Sequence, residues 1–211
     1  MIKIYNILEL EKHISGLKAV IFDLDDTLYS EREYVKSGFA AVAEVLSKVE
    51  NAEQKLWTLF TDGKAAVDEL LTYEGIFSEH LKAECLKAYR NHTPKISLYV
   101  GVKDMLIRLR ESGYKIGIIT DGRPQGQRAK VDALGLSELV DEIIVTDELG
   151  GEEYRKPCEK AFRIMTERLG VTPSECSYVG DNINKDFIAP INLGMRAILF
   201  KNREGLYFTE S

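Results

Sequence analysis

VIFDLDDTLYS, residues 20–30, places three carboxylates directly behind an apolar run of strand length. Asp23, Asp25 and Asp26 follow Val20-Ile21-Phe22 with only Leu24 among them. Like charges this close repel, and a buried carboxylate is costly unless it is paired or binds a cation. The run therefore reads as a buried strand that delivers an acidic site at its carboxyl end.

The same pattern recurs downstream. LKAVIFDL (17–24), YKIGIIT (114–120), DEIIVT (141–146), CSYVGD (176–181) and RAILF (196–200) each read as a strand that ends in polar or Gly-rich residues. Helical patterns separate the later ones. Val102, Met105, Leu106 and Leu109 share one face before a stop at Gly113. Residues 124–134, 157–169 and 184–193 read as three more helices, the second opened by Pro157 and closed by Gly170, the third ending at Gly194. Strands alternating with helices pair in parallel, which predicts an α/β fold with a doubly wound sheet.

Residues 30–95 break this rhythm. SEREYVKSGFAAVAEVLSKVE (30–50), AEQKLWTLFTDGKAAVDELLT (52–72) and SEHLKAECLKAYRNH (78–92) are each amphipathic helix patterns, and no β-rich run lies among them. The expected division is a core of residues 1–29 and 96–211 with an all-α insertion at 30–95, which returns near Thr93-Pro94. Trp57, Phe60 and Tyr73 are assigned to the insertion's own core.

Composition excludes several classes. A net charge of -6 gives no basic footprint for nucleic acid. No apolar run approaches the roughly 18 residues that span a bilayer, and the start, MIKIYNILELEKHISG, is too mixed for a signal peptide. Cys85, Cys158 and Cys176 are odd in number and lack CxxC spacing, which fits reduced thiols in a cytoplasmic protein. His13, His80 and His92 lie far from the strand ends in sequence and read as ordinary helix or loop residues.

In an open α/β sheet, ligands bind outside the carboxyl ends of the strands. Those ends read Asp23-Leu24-Asp25, Thr120-Asp121-Gly122, and Gly180-Asp181-Asn182 with Asp186 five residues beyond Asp181, while Arg155-Lys156-Pro157 opens a helix. Acidic groups, a lysine, a threonine and backbone N–H groups together suit a divalent cation plus a phosphate. The Asp25 backbone carbonyl can face the same cavity as the Asp23 carboxylate. Asp181 then completes a hard, oxygen-only site of the kind Mg²⁺ takes, and the ion removes much of the mutual repulsion. Asp26 is expected to face away and serve the turn or a helix start.

FDLDDTL (22–28), IITDG (118–122), RKP (155–157) and VGDNINKD (179–186), in this order, resemble the motifs of the haloacid dehalogenase-like (HAD) hydrolase superfamily. The insertion is similar in type and position to the helical cap of that superfamily's most common branch. The resemblance implies a doubly wound parallel, Rossmann-like sheet core with an inserted all-α cap domain. It implies a Mg²⁺-dependent phosphatase that hydrolyses a small soluble phosphate monoester. Asp23 would be the nucleophile that forms an aspartyl-phosphate, and Asp25 the general acid and base. Thr120, with the N–H groups of Asp121 and Gly122, would bind the phosphoryl oxygens. Lys156 would neutralise the nucleophile and the transferring group. Asp23, Asp25 and Asp181 would hold Mg²⁺, and Asp186 would hold Lys156 or a metal-bound water, or cap the following helix. Glu31, Arg32 and Tyr34, at the start of the insertion, and Arg123, after the phosphate loop, are the specificity candidates.

Three other readings compete. Dehalogenases of the same superfamily need no metal and lack the second Asp of the first motif, whereas Asp25 and Asp181 are present here. A sugar phosphomutase needs both aspartates and stays open as an alternative. A non-catalytic binding module would have lost a catalytic side chain, and none is lost. The expected partner is a small phosphorylated molecule, with no nucleic acid or membrane.

Overall fold

In the computed structural model, which describes residues 1–206, six strands form one parallel sheet among the described residues. They are β1 (Ile2–Ile4), β2 (Ala19–Phe22), β3 (Lys115–Thr120), β4 (Glu142–Val145), β5 (Cys176–Gly180) and β6 (Arg196–Phe200), in the spatial order β1-β6-β5-β2-β3-β4. The chain winds outward from β2 in both directions. Phe22 is in register with Ile118 of β3 on one side and Val179 of β5 on the other. All four β2 residues are fully buried, as a strand covered on both faces requires.

The helices are α1 (Glu31–Val45), α2 (Ala52–Thr61), α3 (Ala66–Tyr73), α4 (Glu79–Asn91), α5 (Val102–Glu111), α6 (Pro124–Ala133), α7 (Lys160–Leu169) and α8 (Ile188–Asn192). Ala19, Ile21, Ile119 and Tyr178 pack with Phe162 and Met165 of α7 on one face of the sheet. Met165 leaves no room for a side chain on β3 at Gly117, where a Cβ would lie 2.5 Å from its sulfur. Strand side chains alternate, so Val20, Phe22, Ile116 and Ile118 point to the other face, and α5 packs along β3 there. The α5 apolar set, Val102, Met105, Leu106 and Leu109, is buried as its spacing predicts. Pro124 opens α6 and a left-handed Gly170 closes α7.

The chain forms two compact units, Met1–Glu31 with the chain from Ile96 onward, and Arg32–Lys95. The second has its own core, built on Phe39, Val42, Leu56, Leu70, Leu71 and Cys85. Trp57 and Phe60 pack against that core. Tyr73 does not: it ends α3 and is 82% exposed, contrary to expectation. The 52–72 pattern also proves to be two helices rather than one. α2 stops at Thr61, its carbonyls capped by the N–H groups of Asp62 and Gly63, and Gly63 turns the chain at φ 73°.

Three differences from the sequence reading lie in the core unit. β1 and a 3₁₀ helix at Ile7–His13 precede β2, the latter opened by a reciprocal Asn6–Glu9 cap. α7 begins at Lys160, not Pro157, because Arg155–Cys158 form a turn closed by a 2.9 Å Cys158 N–H bond to the Arg155 carbonyl. α8 begins at Ile188, not 184, because the Asn182 side chain accepts from the Asn184 N–H and diverts the backbone. No helix among the described residues is long and apolar enough to cross a membrane.

Candidate active site

The switch point of the sheet lies at β2, because its neighbours β3 and β5 lead away in opposite directions. Residues leaving the carboxyl ends of these three strands therefore meet. Asp23 follows β2, Thr120 ends β3, and Asp181 follows β5. The Asp23 N–H still donates to the Val179 carbonyl at 2.8 Å, so the nascent loop is held in strand geometry.

Asp23 is buried and its carboxylate accepts from the Lys156 ammonium, whose side chain is inaccessible to solvent. Lys156 also lies 2.8 Å from Asp186 Oδ1 and donates to the Tyr178 hydroxyl at 3.1 Å. The other Asp186 oxygen accepts from the Asn182 N–H at 2.9 Å. Gly180 makes this fit possible, since a Cβ there would lie 2.5 Å from Asp186 Oδ2. Carboxylate oxygens of Asp23, Asp181 and Asp186 all lie within 4.8 Å of one another.

Burial and crowding dominate the electrostatics of this cluster. Burial pushes Asp23 up to about 7, with Lys156 opposing and Asp186 adding to the rise. Asp181 is pushed up to about 9 by burial and then by the Asp23 charge. Lys156 moves well above its usual range, because Asp186 and Asp23 outweigh its own desolvation. Lys156, with Lys185 further out, thus faces three carboxylates, and a divalent cation would supply further positive charge. The donor set fits a hard ion: it is all oxygen, acidic and compact, with neither sulfur nor imidazole.

Asp25 is treated differently. Its carboxylate lies outside that cluster and turns to α6, where it accepts from Lys130 Nζ at 2.7 Å and Gln127 Nε2 at 2.9 Å. The Tyr29 hydroxyl donates to it as well. Burial alone would raise the Asp25 pKa, but Lys130 and these hydrogen bonds hold it below the usual carboxylate value. Nearby Glu31 is pushed up to about 8 by burial and the Asp25 charge, against the pull of Lys130.

Asp121 buttresses the loop rather than pointing its carboxylate outward. It accepts from Thr146 Oγ1 and from the Lys156 N–H, both at 3.0 Å, and Lys185 Nζ lies 3.5 Å away. Gly122 takes φ 130°, and Asp147 is clamped by Arg155 through two 2.7 Å bonds. Arg123 is exposed just before α6. Asp26 has left the site, as expected. Its carboxylate accepts from the Glu31 N–H at 2.9 Å, at the start of α1, and from the Leu206 N–H at 2.7 Å. Arg32 and Tyr34 belong to the helical unit, where the Tyr34 ring sits 4.9 Å from that of His92.

Sequence reasoning missed Tyr29, Gln127, Lys130 and Tyr178. A readable signal existed for two of them. Gln127 and Lys130 share a face of the helix that opens directly behind the Thr120 loop, and Val131 and Leu134 mark that side as buried.

Residues 20–200 match the family described as haloacid dehalogenase-like hydrolase. The chain is 32% identical to a glyceraldehyde 3-phosphate phosphatase of Methanopyrus kandleri, over 90% of this chain and 86% of that one. It is 29% identical to human N-acylneuraminate-9-phosphatase, over 92% and 86% respectively. The solved HAD phosphatase of Thermococcus onnurineus aligns over 92% of both chains with a TM-score of 0.57 and 26% identity. With the motifs matched in order and their acidic residues gathered at the switch point of a parallel sheet, the chain belongs to the haloacid dehalogenase-like hydrolases, as a phosphohydrolase.

Proposed function

We propose that the protein is a Mg²⁺-dependent phosphatase that hydrolyses a small phosphate monoester through an aspartyl-phosphate on Asp23. One observation carries this reading: two carboxylates two residues apart, Asp23 and Asp25, are held in opposite electrostatic roles. Asp23 shares a buried cluster with Asp181, Asp186 and Lys156, whereas Asp25 sits apart on its own donors.

In the first step a carboxylate oxygen of Asp23 attacks phosphorus. The bond from phosphorus to the ester oxygen breaks, and that oxygen takes a proton from Asp25, which must hold one in the substrate complex although Lys130 favours its charged form in the free protein. In the second step Asp25 takes a proton from water, whose oxygen attacks phosphorus. The bond to Asp23 breaks and inorganic phosphate leaves. Lys156 holds Asp23 in place and stabilises the negative charge of the transferring group. Thr120 and the N–H groups of Asp121 and Gly122 bind phosphoryl oxygens. Asp23, Asp181 and Asp186, with the Asp25 backbone carbonyl, would hold Mg²⁺, which supplies charge neutralisation for the incoming phosphate.

The named activities of the relatives, on glyceraldehyde 3-phosphate and an acylneuraminate 9-phosphate, support a small sugar-like ester. The helical unit, through Arg32 and Tyr34, is assigned substrate choice, with Arg123 on the core side. Free thiols at Cys85, Cys158 and Cys176 support a reducing, cytoplasmic setting. Phosphate release from a panel of sugar and triose phosphates, with Mg²⁺ and after exhaustive chelation, tests the proposal. Release only with the metal is expected. Undiminished release without it, or halide release from a 2-haloacid, overturns it.

A further inference from the structure

Asp25 is not left to orient itself. Three side chains converge on its carboxylate, and two of them come from one helix. Gln127 and Lys130 are one turn apart on α6, so both face the same way. Both are buried, at 4% exposure each. A buried lysine is rare unless it is paired, and Lys130 meets Asp25 Oδ1 at 2.7 Å.

Gln127 makes a second contact that links the two halves of the site. Its Nε2 donates to Asp25 Oδ2 and also to Thr120 Oγ1. A carboxylate can only accept, so the amide nitrogen, not its oxygen, must face Asp25. Thr120 Oγ1 is then used as an acceptor, and its own proton is directed elsewhere. The side chain that fixes Asp25 therefore also turns the Thr120 hydroxyl into a donor. The Gln127 side chain lies along the loop as well, within 3.4 Å of where a Cβ on Gly122 would stand.

We infer that Gln127 and Lys130 are positioning residues for the hydrolysis: they hold the Asp25 carboxylate towards α6, away from the Asp23, Asp181 and Asp186 cluster, and Gln127 sets the Thr120 hydroxyl as a donor. The inference rests on the phosphatase reading above. Its physical content is that a free Asp25 carboxylate would have the cation site two residues away as a competing partner. Lys130 supplies a matching charge on the opposite side, and Gln127 and Tyr29 fix the angle.

The test is the leaving-group dependence of Lys130→Met and Gln127→Leu, each alone and combined with Asp25→Asn. Steady-state rates are measured with p-nitrophenyl phosphate, whose leaving group needs little protonation, and with an unactivated alkyl ester, glyceraldehyde 3-phosphate. Labelled p-nitrophenyl phosphate traps any phosphoenzyme. Each single variant should lose about 10- to 100-fold more on the alkyl ester than on the activated one, within the range general acid help covers. Added to Asp25→Asn, it should cost less than about threefold further, since its route is already cut. Lys130→Met leaves a carboxylate without its ion-pair partner and could fail to fold. Gln127→Leu leaves that pair intact and carries the same expectation. Equal losses on both esters, or full additivity with Asp25→Asn, overturn the inference while the native activity stands. No phosphate release and no labelled protein from the native enzyme overturns both this and the reading it rests on.

Discussion

Asp23 and Asp25 are separated by one leucine and by almost everything else. Asp23 is inside an acidic cluster with Lys156 against it, and Asp25 is beside that cluster with Lys130 against it. Their asparagine variants should fail at different steps. On the proposed mechanism Asp23→Asn removes the attacking carboxylate, so rapid quench with labelled p-nitrophenyl phosphate should trap no phosphoenzyme. Asp25→Asn keeps the nucleophile but removes the base for the second step, so the adduct should accumulate while turnover falls by roughly 10²- to 10⁴-fold. Adduct in Asp23→Asn and none in Asp25→Asn would mean the roles are reversed. The sequence made Asp23, Asp25, Lys156 and Asp181 legible because each sits at a strand end or in a short motif whose spacing survives translation into space. For Lys130 the signal was only indirect, the burial of the helix face it shares with Val131 and Leu134. A lysine in a helical pattern ordinarily reads as a solvated face, and the approach of α6 to the β2 loop is what gives it Asp25 as a partner.

Elements were legible where the period was long and the caps were clear. α5 and β6 fall where their patterns placed them, whereas β1 is a three-residue edge strand, too short to carry a period. α2 and α3 were merged because the apolar spacing runs through Asp62-Gly63, and the turn there is visible only from the left-handed Gly63. The start of α1 shows the opposite case, a cap in the sequence whose reach was hidden. Asp26, itself left-handed at φ 53°, caps the Glu31 N–H and also ties the Leu206 N–H, and its carbonyl accepts from Asn202 at 2.8 Å. Asp26→Ala would leave two N–H groups without their charged acceptor and put a Cβ without polar compensation in a left-handed residue. A loss of about 2–4 kcal/mol is expected from urea unfolding. Asp26→Asn keeps an acceptor and tolerates the backbone, so less than half of that loss should appear. Equal losses would show that the negative charge of the carboxylate, and neither the backbone conformation nor a neutral acceptor, is what matters.

At the scale of the whole molecule, the crowded acids at the switch point tie stability to pH and to the cation. Asp23, Asp181 and Glu31 are raised to about 7, 9 and 8 in the folded chain, while unfolded carboxyls titrate near 4. Between these limits the folded state binds more protons than the unfolded one. The metal-free protein should therefore lose stability as pH rises from about 5 to 9. Lys156, also raised, acts in the same sense but only above its unfolded value, near 10.4, and leaves this window unchanged. Mg²⁺ needs the deprotonated acids, so its binding strengthens over the same interval. A ligand at a hundred times its Kd stabilises by about 2.7 kcal/mol, which for a chain of this size is roughly 5–10 °C in Tm. The expected result is a Tm that falls with pH in chelator and falls less in excess Mg²⁺. The gap between the two curves should widen between pH 6 and pH 8.5. Ca²⁺, larger and at ease with irregular oxygen cages, serves as the comparison ion and should widen the gap by the same proton linkage. A gap that stays constant or narrows with pH would place the cation away from Asp23 and Asp181, whose raised carboxyls supply the linkage.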